Sequence, residues 1–425
     1  MARVSAAPLP RQGPRPLPLQ LWNATGVWLS SRAALPLLKN GSLPSRHDFA
    51  DRVRALHESL AAAGFDDILA ALDRELRERA DTFLAGIESY RRHPYRRDLA
   101  DPPVLWQEGT TRLLDYGTAA AAARTVLIVP SLINRAYILD LTPETSLVRH
   151  LAAMGLRPLL VDWGGPGALE RGFGLTEYIA GRLEMAAEVA AAEADGPIGV
   201  LGYCMGGLLA LALAERRPRL VGALVLLATP WGFHAGSAGP AARLLGALAE
   251  PLGQAFAALG ELPVDVLQAL FTAVDPLVAM RKFTRFATLP PDSPAARQFV
   301  AVEDWLNDGV PLALQVAREC LGGWYGADLP ARGLWQVAGR PVLPTRVAQP
   351  ALVVVPAHDR IVPPASAAAL ADALPAAERL DPALGHIGMI VSADGPRQVS
   401  KPLAAWLHRQ LPPPGFNIRR GGLFR

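Results

Sequence analysis

The sequence predicts an α/β fold in which helices cover both faces of a mostly parallel β-sheet. Three observations support this prediction. From residue 111 onward, apolar runs typical of buried strands alternate with helical patterns. One such run, Pro197 to Leu201, leads through Gly-Tyr-Cys-Met-Gly-Gly into an Ala/Leu-rich helical pattern. An aspartate, Asp359, and a histidine, His386, follow in later loops, as an ordered set of catalytic groups would.

The first 110 residues divide into a tail and a helical region. Residues 1–20 contain five prolines and three arginines, which predicts a disordered tail. Residues 21–110 are predicted to be a helical N-terminal region, because apolar residues recur at helical spacing over 47–65 and 66–91. We interpret this region as a packing or partner-binding appendage without a catalytic role.

The catalytic domain is predicted over residues 111–425 and contains both strands and helices. Its predicted strands are Arg112–Tyr116, Thr125–Pro130, Arg157–Asp162, Ile198–Leu201, Ala223–Ala228, Ala351–Pro356 and Glu378–Leu380. The predicted helices between them are Thr145–Ala153, Leu175–Ala194, Met205–Arg217 and Ala365–Ala373. Residues 231–347, the lid segment, show apolar helical patterns and no clear strand. This interruption predicts a lid that controls access to the carboxyl edge of the sheet.

Composition excludes several classes of function. The chain has 425 residues, of which 51% are hydrophobic and 19% charged, so it can bury a large core. Its net charge of +3, from 42 basic and 39 acidic residues, is too balanced for a nucleic-acid-binding protein. The uncharged run 196–214 has the length of a membrane span, but Pro197, Tyr203 and several glycines interrupt it. We therefore do not expect an integral membrane protein.

Two cysteines, Cys204 and Cys320, form neither a disulfide framework nor a metal site. This predicts a reducing compartment, the cytoplasm. No glycine loop of the phosphate-binding or dinucleotide-binding type occurs, so no cofactor and no metal are expected.

The strand–turn–helix pattern around Cys204 is typical of a nucleophile elbow, in which small neighbours allow a tight turn to expose the nucleophile. A thiol nucleophile needs a base and a group that orients the base. His386 and Asp359 fit these roles, and the order nucleophile, acid, histidine is that of the α/β-hydrolase fold. The backbone N–H groups of Met205 and Leu132 are the predicted oxyanion donors.

Each of these residues also has a simpler interpretation. Cys204 could be a buried core thiol, a packing role that we prefer for Cys320. His358, next to Asp359, is a rival for the base, and Asp359 could merely cap the following helix.

Five motifs carry a resemblance to the polyhydroxyalkanoate synthase family of the α/β-hydrolase superfamily. They are Pro130–Leu141, Val161–Gly164, Gly202–Gly207, His358–Pro363 and Gly385–Gly388. The resemblance covers about residues 93–410 and, in the C-terminal half, is closest to the two-subunit, short-chain branch. The sequence departs from the family pattern at Leu208 and over Thr229–Phe233, which bears on chain-length preference.

The resemblance implies a cysteine acyltransferase that polymerises 3-hydroxyacyl-CoA into poly-3-hydroxybutyrate or a related polyester. Cys204 is then the nucleophile, His386 the base, and Asp359 the acid that orients the base or activates the substrate hydroxyl. The implied partners are 3-hydroxyacyl-CoA, the growing polyester or its granule, a second copy of the chain and an accessory subunit. Two alternatives stay open: a thioesterase or polyester depolymerase on the same fold, and a non-catalytic granule-associated protein.

Overall fold

An eight-stranded sheet organises the larger part of the chain, in a computed structural model that describes residues 11–117 and 123–413. The strands are β1 Val104–Glu108, β2 Thr111–Asp115, β3 Arg124–Val129, β4 Leu156–Asp162, β5 Ile198–Tyr203, β6 Val221–Leu227, β7 Glu261–Leu262, β8 Leu312–Ala313, β9 Gln336–Val337, β10 Arg340–Pro341, β11 Ala351–Val354 and β12 Ala377–Leu380. The main sheet has the order β1-β2-β4-β3-β5-β6-β11-β12. Strand β2 runs antiparallel to β1 and β4, and the other neighbours are parallel. The predicted mostly parallel sheet is confirmed.

Helices precede, connect and follow these strands. The α-helices are α1 Leu17–Lys39, α2 Ala50–Leu60, α3 Phe65–Arg92, α4 Leu147–Ala153, α5 Glu184–Ala194, α6 Met205–Arg216, α7 Gly239–Gly246, α8 Ala249–Ala255, α9 Val264–Val274, α10 Val278–Ala287, α11 Pro294–Asn307, α12 Leu314–Arg318, α13 Pro364–Ala373, α14 Gly388–Val391 and α15 Lys401–Gln410. Short 3-10 turns occur at His47–Phe49, Ala136–Leu139, Pro143–Thr145, Glu170–Gly172, Gly236–Ala238 and Pro344–Arg346. π-Helical stretches adjoin α5, α12 and α15 at Glu177–Leu183, Glu319–Gly326 and Pro396–Ser400.

The chain forms two compact units. The first combines the chain up to Arg96 with Gln268–Asn307, and the second combines Arg97–Leu267 with the chain from Asp308 onward. In the first unit, α3 packs on α10, and Tyr90 meets the Phe283 ring edge-on with 5.6 Å between ring centroids. A core of Ala24, Phe83, Ile87, Tyr90, Ala279, Phe283, Phe286, Ala296 and Val300 joins its two stretches of chain.

The observed boundaries differ from the predicted ones at three places. The predicted tail, residues 1–20, overlaps the start of α1 at Leu17. Pro18 does not prevent this start, because it lies in the first turn of the helix, where a proline is tolerated. Residues 1–10 of that tail lie outside the described residues. The predicted helical region 21–110 includes β1, which pairs with β2 in the main sheet. The lid segment is divided between the units, because Gln268–Asn307 packs with the N-terminal helices.

The apolar run 196–214 consists of β5 and most of α6. Every residue of β5 is buried, and so is every residue of α6 from Met205 to Ala214. A helix that is apolar on all sides belongs in a protein core, which explains why this stretch has the composition of a membrane span. Among the described residues, no helix is long and apolar enough to cross a membrane.

A fully buried carboxylate, Asp140, anchors the chain that follows β3. Its side chain accepts hydrogen bonds from Arg149, Ser146, Arg97 and Tyr116. Burial alone would raise the pKa of Asp140, but the bonds from Arg149 and Ser146 and the two arginine charges lower the pKa below its usual value. These contacts fix the turn that leads away from β3. The 3-10 stretch in this turn, Ala136–Leu139, packs against α14.

Candidate active site

Cys204 occupies the sharp turn between β5 and α6. Its backbone has φ +55° and ψ −127°, a conformation that residues with a Cβ rarely adopt. The Cys204 N–H donates to the Leu227 carbonyl at 2.9 Å, so the turn is held by the end of β6. The side chain is partly exposed. A strained backbone that presents an accessible thiol is the geometry expected of a nucleophile elbow.

Three glycines around Cys204 allow this close approach of strand and helix. A Cβ on Gly202 would collide with the Gly207 backbone, and one on Gly206 with the Val129 and Pro130 carbonyls. A Cβ on Gly207 would collide with the Thr229 side chain. The glycine pattern in the sequence therefore reflects steric limits on three sides of the turn.

His386 and Asp359 lie together in loops that follow β12 and β11. His386 Nδ1 donates to Asp359 Oδ2 at 2.6 Å. The other carboxylate oxygen, Oδ1, accepts the backbone N–H groups of Ile361 and Val362 at 2.8 Å each. Both side chains are buried, and Cys204 is close enough to His386 to raise the pKa of its ring. The structure thus brings the three predicted residues to one place at the carboxyl edge of the sheet.

The electrostatics of the site favour a protonated imidazole. Burial lowers the pKa of His386, but the negative charge of Cys204 and the hydrogen bond to Asp359 outweigh burial and raise the pKa to about 10. The same arrangement suits a thiolate paired with an imidazolium, which is the reactive form of a catalytic cysteine.

We expect His386→Gln to lower the free energy of unfolding most below about pH 6.5 and progressively less toward pH 10. In the folded protein His386 has a pKa of about 10 and stays protonated at pH values below it. In the unfolded chain its pKa is about 6.5. The stabilisation is therefore complete below the lower value and is lost as the pH rises through the upper one. Chemical denaturation of both proteins across this range measures the difference. His358→Gln, at an exposed neighbouring position, is the control, and a pH-independent difference for His386→Gln would contradict the assignment.

The simpler interpretations of the site residues find less support in the geometry. His358 is exposed, whereas His386 is buried. Helix α13 begins at Pro364 after Pro363, so Asp359 does not cap that helix. Cys320 is buried, and burial raises the pKa of its thiol well above the usual value, as a packing role predicts. Among the described residues, no group of three or more potential ligands could hold a metal ion.

The two predicted oxyanion donors belong to two segments that meet at the Cys204 turn. Met205 is the first residue of α6, and Leu132 lies in the bend that leaves β3. The close packing of Gly206 against Val129 and Pro130 brings that bend next to the first turn of α6. Trp163 Nε1 donates to the Pro130 carbonyl at 3.0 Å and fixes the start of the bend.

Sequence reasoning missed Tyr203, which precedes Cys204. Its hydroxyl donates to the His386 carbonyl at 3.3 Å, and its ring lies 5.2 Å from the His386 ring, centroid to centroid. Tyr203 therefore supports the loop that carries His386. Its position at the end of β5 is visible in the sequence, but its contact with a residue 183 positions later is not.

Comparison with known proteins identifies the family of the chain. A model of the alpha/beta hydrolase fold matches residues 124–393, and a model of the poly-beta-hydroxybutyrate polymerase N-terminus matches residues 92–151. The Synechocystis protein named poly(3-hydroxyalkanoate) polymerase subunit PhaC is 32% identical over 292 residues, which are 66% of this chain and 77% of that protein. This chain belongs to the poly(3-hydroxyalkanoate) polymerase family. The resemblance drawn from the motifs is thereby confirmed.

Other polymerases of the family align over a similar share of the chain. The Haloferax mediterranei subunit is 29% identical over 304 residues, 68% of this chain and 60% of that protein. The Allochromatium vinosum subunit is 27% identical over 301 residues, 69% of this chain and 83% of that protein. Among solved structures, MenH from S. aureus is 13% identical, with a TM-score of 0.47 and coverage of 70% of this chain and 98% of that chain.

Proposed function

We propose that this chain is an acyltransferase that polymerises 3-hydroxyacyl-CoA into polyester through an acyl group carried on Cys204. The observation that carries the proposal is the hydrogen bond between His386 and Asp359 next to Cys204 in a member of the polymerase family. A cysteine suits this chemistry because transfer from CoA to Cys204 exchanges one thioester for another. The acyl group therefore stays activated for attack by the hydroxyl of a second unit.

Each residue has a defined part in the proposed acylation. The Cys204 thiolate attacks the thioester carbonyl, and the N–H groups of Met205 and Leu132 stabilise the negative oxygen. The carbon–sulfur bond to CoA then breaks, and protonated His386 gives its proton to the leaving CoA thiolate. Asp359 accepts the hydrogen bond from His386 Nδ1, which leaves Nε2 to exchange the proton with the sulfur.

Elongation uses the same groups in the opposite protonation state. Neutral His386 accepts the proton of the 3-hydroxyl group as that oxygen attacks the acyl carbon on Cys204. An ester bond forms, the bond to sulfur breaks, and the Cys204 thiolate is regenerated beside protonated His386. Water competes with the hydroxyl, so we predict that part of the lid segment limits its access.

The decisive experiment incubates the purified protein with 3-hydroxybutyryl-CoA and follows thiol release, turbidity and product mass. Polymerisation yields free CoA together with insoluble oligomers. Free 3-hydroxybutyrate alone would identify a hydrolase. If no CoA is released and a thiol reagent labels Cys204 no faster than buried Cys320, the chain is a binding protein.

Several finer properties accompany the proposal. A second copy of the chain, an accessory synthase subunit and the surface of a polyester granule are its predicted partners. A cytoplasmic location at such granules is the corresponding prediction. Family membership favours the polymerase over the hydrolase and the non-catalytic alternatives.

A further inference from the structure

Tyr203 stacks its ring against the imidazole of His386. The two ring centroids are 5.2 Å apart, and the ring planes are inclined by 30°. Rings that lie side by side in one plane could not come this close, so the two rings overlap in an offset stack. The Tyr203 hydroxyl donates to the His386 carbonyl at 3.3 Å and holds the ring in this position. The imidazole therefore faces the π-electrons of the tyrosine, whereas the tyrosine hydroxyl serves the backbone.

This contact is shielded from water. Tyr203 is 4% exposed and His386 is 7% exposed. Tyr203 is the last residue of β5, every residue of which is buried, and it pairs with Leu227 at the end of β6. Burial and the nearby charges of Cys204 and Asp359 raise the pKa of Tyr203, so its ring stays uncharged at neutral pH. His386 thus contacts a fixed, neutral aromatic ring in surroundings that solvent does not screen.

The charge of a protonated His386 is stabilised from more than one side. Burial disfavours this charge, and Cys204 in the turn after β5 and Asp359 in the loop after β11 oppose the effect of burial. Asp359 binds the edge of the imidazole through Nδ1 at 2.6 Å, whereas the Tyr203 ring lies against its face. An aromatic ring attracts a cation that lies within about 6 Å of its centroid, and the attraction is strongest where water is absent.

We propose that the Tyr203 ring stabilises the protonated form of His386 through a cation–π contact. In the proposed function, on which the catalytic part of this inference rests, protonated His386 gives its proton to the leaving CoA thiolate. Tyr203 acts on that step through His386 and is therefore a positioning residue. An aliphatic side chain could fill the same space, but it has no π-electrons to stabilise the charge.

The test follows the titration of His386 by NMR in protein that contains isotope-labelled histidine. Tyr203→Phe is prepared in two forms, with ordinary phenylalanine and with a trifluorinated phenylalanine that keeps the shape of the ring but withdraws its π-electrons. Both also carry Cys204→Ala, because the negative charge of Cys204 raises the pKa of His386 and its removal brings the titration closer to neutral pH. We expect fluorination to lower the midpoint of the His386 titration by about 0.5 to 1 pH unit. Ordinary Tyr203→Phe should keep the midpoint of Cys204→Ala alone, because it keeps the ring.

Two controls and a second measurement accompany this titration. His386→Gln identifies the signal of His386 among the eight histidines of the chain. The trifluorinated phenylalanine in place of Tyr178, which packs edge-on against Trp163, should leave the midpoint of His386 unchanged. In proteins that retain Cys204, fluorination at position 203 should move the alkaline limb of the pH profile of the first CoA release to lower pH by the same amount as the midpoint.

Two results would overturn the inference. Equal midpoints for the two forms of Tyr203→Phe would show that the side chain only fills space. A midpoint that falls in ordinary Tyr203→Phe and falls no further on fluorination would show that the hydroxyl, rather than the ring, acts on His386. Failure of the wild type to release CoA would instead refute the proposed function, and the titration in Cys204→Ala would still decide whether the ring stabilises the imidazolium.

Discussion

Cys204→Ala should release no CoA from 3-hydroxybutyryl-CoA above the rate without protein, while it remains folded. Alanine keeps the Cβ, so the strained φ of +55° costs the variant no more than it costs the wild type. Cys204→Ser should be slower than wild type by about 10³-fold or more, because a serine hydroxyl is not ionised near neutral pH and its oxygen ester is less activated. Thiol release and circular dichroism are the two measurements.

Cys320→Ala is the matched control for the nucleophile. It removes the second thiol of the chain from a buried position, so acylation should persist in this variant. Undiminished CoA release by Cys204→Ala would exclude a covalent intermediate on Cys204. Loss of activity in both variants with loss of helical signal would indicate unfolding and would require Cys204→Ser to decide.

Asp359→Asn should lower the rate of acylation of Cys204 by about 10²- to 10⁴-fold. The variant keeps an oxygen for the N–H groups of Ile361 and Val362, but it lacks the second carboxylate oxygen that accepts His386 Nδ1–H. His386 then loses its orientation and the charge that favours its protonated form. Rapid-quench measurement of the first CoA released isolates this step from elongation.

The step that fails in Asp359→Asn distinguishes two roles of the carboxylate. If Asp359 orients His386, acylation and elongation both slow, which is the outcome that the 2.6 Å bond favours. If acylation is normal and only elongation stops, Asp359 activates the substrate hydroxyl and the orienting role is wrong. Asp381→Asn is the control, because Asp381 is exposed and pairs with Arg379.

The central strands of the sheet were predictable because they are buried on both faces and therefore consist mostly of apolar residues. The observed β3, β4, β5 and β6 agree with the predicted strands within a few residues, since each is an apolar run bounded by turn residues. Strand β1 was missed because it is an edge strand, and its exposed and half-buried residues show no apolar alternation. The first turn of α1, residues 17–20, was assigned to the tail because Pro16 and Pro18 resemble the prolines of a disordered segment.

The candidate site was predictable where local sequence dictates geometry. The glycines around Cys204 indicate a tight turn by themselves, and the order of Asp359 and His386 follows from the succession of strands. Tyr203 could not be assigned, because its role depends on its contact with His386, which is distant in the sequence. The division of the lid segment between two units could not be predicted either. The sequence of an amphipathic helix shows which face is buried but not which element covers it.

The core shared by α3 and α10 has a consequence for synthesis of the protein on the ribosome. Strands β1 to β7 lie between these two helices in the chain. The N-terminal helices therefore emerge from the ribosome long before the residues that complete their core. Until then the nascent chain exposes the apolar side chains of Phe83 and Ile87 to solvent. Such delayed burial is the condition under which chaperones bind and aggregation competes with folding.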